Sequence, residues 1–564
     1  MNGFDFSKAG VTMEYQADGG QVVRCGASGD DVVQLRRTVE GNILNITLLP
    51  SRPVRIVRFR IRLPFSFHRE DRILSNGFQS WTDTREYGVN ERMRGYNRLT
   101  ELYMKSSMAH GLGVNRAGDA TFHTYPRGRG VCYGYSYGYV RRGDDVYLLG
   151  SLSERSGYTI LTFDTRRDTI WVEKELEGVA FDRETQLLSL AAIVGTYDAA
   201  FDRYFEQMGV PKPRVGRTCG YTTWYNYYTG INMDIIRRDL DALSAHGGFD
   251  VFQIDDGYQT AVGDWFSIRQ KEFPDGMRAA AELIHSKGLK AGLWLAPFGA
   301  QRDSRLFADH PDWFVRGPDG EPWLAGGNWG GFYALDIYRD EVRQYLQKLF
   351  DVVLNEWGFD LLKLDFLYAA AVRPIHNKTR GEVMCDAMDL VRKLTGDRMM
   401  LACGVPMMPA FGKADFCRIG ADMSLSWRRK LFDGRENAST PNAIDNTVFR
   451  RHLDGRAFLN DPDVFLLRDT NIHFNLKKRR LLAKVNSLMG SLLFCSDNVS
   501  EYGEQQESVL RGILSGARAQ IISAGYIRRD VMRIRYRQNG RPETLTFRVS
   551  NGRIYPQGAN DQND

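Results

Sequence analysis

Two hydrophobic periods divide the chain. From the N-terminus to about residue 195, apolar and polar positions alternate in short runs broken by turns. Val54–Leu63, Tyr158–Phe163 and Thr169–Val172 carry the period-two pattern of half-buried strands. Tyr133, Tyr135, Tyr137 and Tyr139 alternate with Gly or Ser, so one strand there would set all four rings on one face. Many short strands with turns between them predict a β-sandwich over residues 1–195. The period changes near Thr196. Tyr197–Met208 reads as a helix and PKPRVG as a connection, making 196–215 a linker. Strands and helices then alternate. A strand runs to Trp224 and Tyr225, and a helix spans Met233–His246. Strands follow at Phe249–Ile254, Leu289–Leu295, Tyr333–Ile337, Phe359–Leu364, Met399–Ala402, Phe416–Ile419, Ala457–Asn460 and Leu492–Cys495. The helices between them are read at Asp275–Ser286, Glu341–Trp357, Gly381–Leu394 and Leu481–Gly490. This alternation predicts a (β/α)8 TIM barrel over 216–505. A doubly wound sheet is the alternative, but polar residues follow nearly every strand, as they would around a ring of loops. Over 506–564, Val531–Arg537 and Thr544–Val549 flank the hairpin signal QNGRPE, which predicts a small antiparallel β domain. The tail PQGANDQND is expected to be disordered.

Composition narrows the function classes. The 564 residues exceed what one core serves, and the 43% hydrophobic and 26% charged content is that of a globular protein. A net charge of +6 over 75 basic and 69 acidic side chains is too dilute to argue for nucleic acid. No apolar run of ~18 residues marks a membrane span. Seven cysteines, an odd number, with no CxxC spacing, point to reduced thiols. With no apolar leader at the start, a cytoplasmic location is expected. The 31 Phe, 26 Tyr and 10 Trp suit either a β-rich core or stacking on sugar rings.

The polar residues at the strand ends carry the chemistry, because barrel active sites form there. They are Trp224, Tyr225, Asp255, Asp256, Trp294, Lys363, Asp365, Cys403, Arg418, Asp422 and Asp461. No histidine joins them and no HExxH occurs, so neither a metal nor another cofactor is expected. Asp365 and Asp422 each close a short apolar run and each follows a cation, Lys363 and Arg418. Glycoside cleavage needs such a pair, one ionised carboxylate beside the anomeric carbon and one protonated carboxyl at the leaving oxygen. Lys363 shares a face with Asp365 and would keep it ionised or bind a hydroxyl. A strand-end salt bridge is the plainer reading of a lone KxD. Asp255 and Asp256 would bind sugar hydroxyls, or one of them would cap a turn. Trp224, Tyr225 and Trp294 would stack on the ring or pack the barrel mouth. Arg418 would orient a carboxylate, bind a hydroxyl or form a plain ion pair. Cys403 reads as a pocket wall, and NDPD at 460–463 as a turn.

These motifs resemble the melibiase group of retaining α-galactosidases, glycoside hydrolase family 36, in its short bacterial form. The blocks are SNGFQSW (75–81), TTWYNYY (222–228), QIDDGYQ (253–259), GLWLAPF (292–298), LLKLDF (361–366), CRIGADMSLSW (417–427) and LNDPD (459–463). The resemblance implies a nucleophile at Asp365 and a general acid/base at Asp422. It implies galactose-binding carboxylates at Asp255 and Asp256, binding positions at Lys363, Arg418 and Cys403, and a tryptophan, Trp81, sent from the N-terminal domain over the barrel mouth. The partner it implies is a small oligosaccharide. KLDFLY replaces the KWDMN of the long tetrameric members, so their quaternary structure is not carried over. NDPD is shared with sister family 27, which leaves α-N-acetylgalactosaminide cleavage and galactosyl transfer open. A non-catalytic carbohydrate-binding protein on the same scaffold is the remaining rival.

Overall fold

The computed structural model describes residues 3–96, 98–104, 106–113, 118–427 and 438–556. Its N-terminal part holds two seven-stranded antiparallel sheets. In the first, Val54–Pro64 pairs with Gly10–Ala17 on one side and Thr169–Lys174 on the other. Its in–out alternation slips at Val57-Arg58, opposite a bulge at Glu14/Tyr15. The extra residue shifts the pleat by one and returns Phe59 to the interior.

The tyrosine run is not one strand. Val131–Tyr135 pairs in the first sheet and Tyr137–Arg142 in the second. Between them Ser136 takes a left-handed conformation (φ 65°). Its N–H donates to Thr159 O at 2.8 Å, and its carbonyl accepts from Ser151 N at 2.8 Å. All four rings are buried, but they reach the interior from two sheets.

The central part is an eight-stranded parallel barrel: β1 Thr218–Thr222, β2 Val251–Ile254, β3 Lys290–Leu295, β4 Leu361–Leu364, β5 Met399–Ala402, β6 Phe416–Arg418, β7 Leu459–Asp461 and β8 Leu492–Cys495. Neighbours pair in that order, with β8 returning to β1. The β7–β8 edge is joined by Ser491 N–H to Asn460 O at 3.0 Å and a bridge between Phe465 and Cys495. The strands are buried along nearly their whole length, because helices cover their outer faces.

Two sequence expectations fail here, and one strand was missed. β1 stops at Thr222, and Trp224–Tyr227 is a one-turn helix. Tyr333–Ile337 adds no barrel strand. Phe332–Ala334 is the middle of a three-stranded antiparallel sheet with Gly299–Gln301 and Leu324–Gly326, raised on the β3–β4 connection. The Phe332 ring lies so close to Gly326 that a Cβ there would stand 2.4 Å from it. The strand Gln520–Arg528 was not read from the sequence, because bulges at Ile521/Ser523 and Tyr526/Arg528 erase its alternation. It joins Val531–Gln538, Arg541–Arg548 and Arg553–Tyr555 in a four-stranded antiparallel sheet. The tail expected to be disordered lies, after Pro556, outside the described residues. No helix among the described residues is long and apolar enough to cross a membrane.

One side chain ties the N-terminal sheets to the barrel mouth. Arg450 is fully buried and donates to four carbonyls: Ser80 O (2.8 Å), Gln79 O (2.9 Å), Gly77 O (3.3 Å) and Ile419 O (2.8 Å). Thr84 N–H donates to Asn446 Oδ1 at 2.6 Å beside it. Residues 75–84 are thereby held over the C-terminal ends of the strands.

Candidate active site

A cavity of about 270 Å³ opens at those strand ends. Trp81, Trp224, Asp255, Asp256, Trp294, Lys363, Asp365 and Asp422 all line it. Seven of the eleven strand-end residues read from the sequence therefore meet in one place, joined by Trp81, which the resemblance had implied. Tyr225, Cys403 and Arg418 stand behind its wall.

Asp365 directly follows β4 and is 8% exposed. Its carboxylate accepts from the Trp294 indole (3.1 Å) and from Phe366 N–H (2.8 Å), with the Cys403 thiol as a third donor. Phe366 has φ 52°, a strained position for an aromatic residue, which turns its N–H back onto the carboxylate. Burial raises the Asp365 carboxyl above its ordinary value, while Lys363 and the three donors oppose the rise. Cys403 is itself pushed well up by burial and by Asp365, so it serves as a neutral donor.

Lys363 shares the inward face of β4 with Asp365, but its ammonium pairs with Asp255 Oδ2 at 2.7 Å. Burial pulls Lys363 down. Asp255 and Asp365 outweigh that and hold it above its ordinary value, so it stays charged. Asp255 follows β2 and also accepts from Gln253 Nε2 (3.1 Å) and Thr222 Oγ1 (3.3 Å). Asp256 accepts from Gln259 Nε2 (2.6 Å) and the Trp329 indole (3.0 Å). Burial lifts its carboxyl, and the negative neighbours Asp255 and Asp365 add to the rise. Neither aspartate caps a turn alone. Both line the cavity.

Asp422 lies four residues beyond β6, with its side chain 48% exposed. Arg418 Nη1 holds it at 3.0 Å. The same buried guanidinium contacts Asp461 Oδ2 (3.0 Å) and Asp463 Oδ1 (2.9 Å). Asp463 also accepts from the Tyr225 hydroxyl (2.5 Å) and Met423 N–H (2.7 Å). Burial raises its carboxyl to about 6, with Asp422 and Asp461 adding and Arg418 opposing. Arg418 thus orients a carboxylate, one of its three readings. NDPD is more than a turn, because its two aspartates clamp the guanidinium that aims Asp422. Tyr225 stacks on nothing in the cavity and belongs to this clamp.

Trp329, Asn328 and Phe366 also line the cavity and were not singled out in the sequence. Trp329 (φ 54°) comes from the raised sheet on the β3–β4 connection. Its signal was a tryptophan set among glycines in GGNWGG. Trp81 packs edge-on against Phe366 (5.1 Å) and Tyr368 (5.9 Å) to form the roof. Among the described residues no group of three or more His, Cys, Asp or Glu side chains is arranged to hold a metal ion.

The cavity can hold one small polar ring among tryptophans, with one carboxylate buried among donors and another at the mouth. Comparison with known proteins points the same way. Residues 217–386 match the Melibiase family model. The A type blood α-D-galactosamine galactosaminidase of Flavonifractor plautii is 30% identical over 189 residues, 31% of this chain and 17% of that protein. An α-galactosidase of Escherichia coli is 32% identical over 150 residues, 25% of this chain and 20% of that one. The matches thus span about a fifth of the length of these curated relatives. Among solved structures, the α-galactosidase TtGalA of Thermus thermophilus in complex with p-nitrophenyl α-D-galactopyranoside is similar over 90% of this chain and 98% of that one, at 27% identity and TM-score 0.70. AgaA of Geobacillus stearothermophilus, a GH36 α-galactosidase, shares the fold at 13% identity and TM-score 0.61, over 95% of this chain and 80% of that one.

Proposed function

The chain is a melibiase-type protein of glycoside hydrolase family 36, and on that footing we propose that it is a retaining exo-α-galactosidase acting on terminal α-D-galactosyl residues of oligosaccharides. One observation carries the reading: Asp365 and Asp422 line the same small cavity in contrasting settings. Asp365 is enclosed at the end of β4, where a poorly hydrated carboxylate is a strong nucleophile toward the anomeric carbon. Asp422 stands at the mouth, where the leaving group departs and water arrives.

Asp365 attacks C1 while Asp422 protonates the glycosidic oxygen, giving a β-galactosyl ester and releasing the aglycone. Asp422 then takes a proton from water, which attacks C1, breaks the ester and releases α-galactose. Asp255 and Asp256 accept hydroxyl hydrogens of the sugar. Lys363 offsets the negative charge around Asp365 and donates to a hydroxyl. Trp81, Trp224, Trp294 and Trp329 enclose the ring and exclude water. A crystal structure with galactose bound should place the two carboxyls ~5–5.5 Å apart.

Asp365→Ala tests the assignment. Turnover of p-nitrophenyl α-galactoside should fall by a factor of at least ~10⁴, as for loss of a nucleophile, and azide should restore part of it. Near-normal turnover in the variant would remove Asp365 from the mechanism. The likeness to the Flavonifractor galactosaminidase favours a second reading, cleavage of α-galactosaminides. Parallel assays with nitrophenyl α-galactoside, α-N-acetylgalactosaminide and α-glucoside separate the substrates.

A further inference from the structure

Far larger than the cavity is a cleft of about 780 Å³ between the N-terminal sheets and the C-terminal sheet. Its lining holds seven arginines against four acids. Most of the acids are spent locally. Glu91 lies between Arg72 (3.9 Å) and Arg85 (3.4 Å). Asp71 is held by Arg142 at 2.8 Å. Asp530 caps the backbone of Ser550 at 2.9 Å. Glu70 remains. On the basic side, Arg94 reaches Asp445 at 3.6 Å. The side chains of Arg69, Arg92, Arg129 and Arg529 have no hydrogen bond or ion pair to any described residue, and all four residues are exposed.

The backbone sets two of these four side by side. Arg92 and Arg129 face each other across an isolated antiparallel bridge. Like charges directly opposite on paired strands repel, and nothing among the described residues neutralises them. Arg529 approaches from the hairpin of the C-terminal sheet. The cations are all arginine, whose planar fork matches phosphate oxygens in pairs. The lining has no aromatic side chain and one aliphatic one, Val89. A sugar ring or nucleobase finds no face to stack on, in contrast to the tryptophan-walled cavity.

We propose that this cleft is a binding site for a compact polyanion carrying several phosphate groups, held by Arg92, Arg129 and Arg529. The group is either a free oligophosphate or the phosphate tail of a larger molecule. It bridges the N-terminal and C-terminal sheets, so its binding stabilises their mutual docking.

The full chain is titrated calorimetrically at low salt with sodium tripolyphosphate, with ATP and with inorganic phosphate. Saturable one-to-one binding of tripolyphosphate is expected, with single phosphate much weaker. Arg129→Gln and Arg529→Gln should each weaken it about tenfold or more, the scale of one charged hydrogen bond. Their galactosidase activity without ligand should be unchanged, which also shows that the variants fold. Arg24→Gln, an exposed arginine outside the cleft, should bind as wild type. ATP binding as well as tripolyphosphate supports the site with a phosphate tail as ligand. ATP binding poorly supports it with a free oligophosphate. Absence of saturable binding, or equal weakening by Arg24→Gln, overturns the proposal. These outcomes do not depend on which glycoside the barrel cleaves.

Discussion

Gly404→Ala tests how the roof of the cavity is set. Gly404 has φ +55°, and a Cβ there would lie 2.7 and 2.9 Å from the Trp81 ring and 3.0 Å from Phe366 N. Ordinary contact begins at 3.4 Å, so the ring must move by about 0.7 Å. Phe366 and Tyr368 pack against the ring, which leaves the cavity as its free direction. The left-handed backbone costs alanine about 1 kcal/mol and overpacking a further ~1–3 kcal/mol. A stability loss of ~2–4 kcal/mol is expected from urea unfolding. KM for nitrophenyl α-galactoside should rise ~10-fold or more, because sub-ångström misplacement of an enclosing group carries such penalties. In a Trp81→Ala background the part due to the ring should vanish, leaving the ~1 kcal/mol backbone cost and the milder 3.0 Å approach to Phe366 N. A wild-type KM in Gly404→Ala, with the same stability loss whether or not Trp81 is present, would refute the account.

Two further perturbations probe the supports of the site. Arg450→Met strands four buried carbonyls and should destabilise the protein by ~3–5 kcal/mol by urea unfolding; KM should rise because the Trp81 loop loosens, and a loss under ~1 kcal/mol would mean that the loop is held by something else. Asp463→Asn probes the Arg418 clamp through pH. The Asp463 carboxyl is raised to about 6 in the fold, against ~3.9 in an unfolded chain. Its contribution to stability is therefore fully present below about pH 4 and lost as pH rises through about 6. The melting temperature of the variant relative to wild type should climb between pH 4 and 7, and a pH-independent difference would contradict the raised value.

The features legible in the sequence were those with a local cause. Asp255, Asp256 and Asp365 ended apolar runs of strand length, so chain direction alone placed them at the barrel mouth. Met233–His246 matched its helix because Asn232 caps it and Gly247 ends it. Trp81, by contrast, was assigned by resemblance. Its position depends on Arg450, hundreds of residues away, and no spacing rule reports that contact. Trp329 was missed because its loop follows neither helical nor strand period. Tyr225 was misread for a related reason. An aromatic residue at a strand end looks like a ring platform, yet its hydroxyl found Asp463 and turned the ring into scaffolding. The Tyr133–Tyr139 run shows the limit of periodicity itself, because one left-handed serine moved half of a regular pattern into another sheet.

Arg450 also bears on how the protein comes to work at all. It follows Ser80, one of the carbonyls it grips, by 370 residues. During synthesis the N-terminal sheets emerge first, and the Trp81 hairpin must wait, its carbonyls hydrated, until about four-fifths of the chain has been made. Both carboxylates will by then exist on the nascent polypeptide, but without a lid. The lid is thus set by a late clasp, and a product truncated before residue 450 would lack that clasp together with β7 and β8, the strands that close the barrel beneath it.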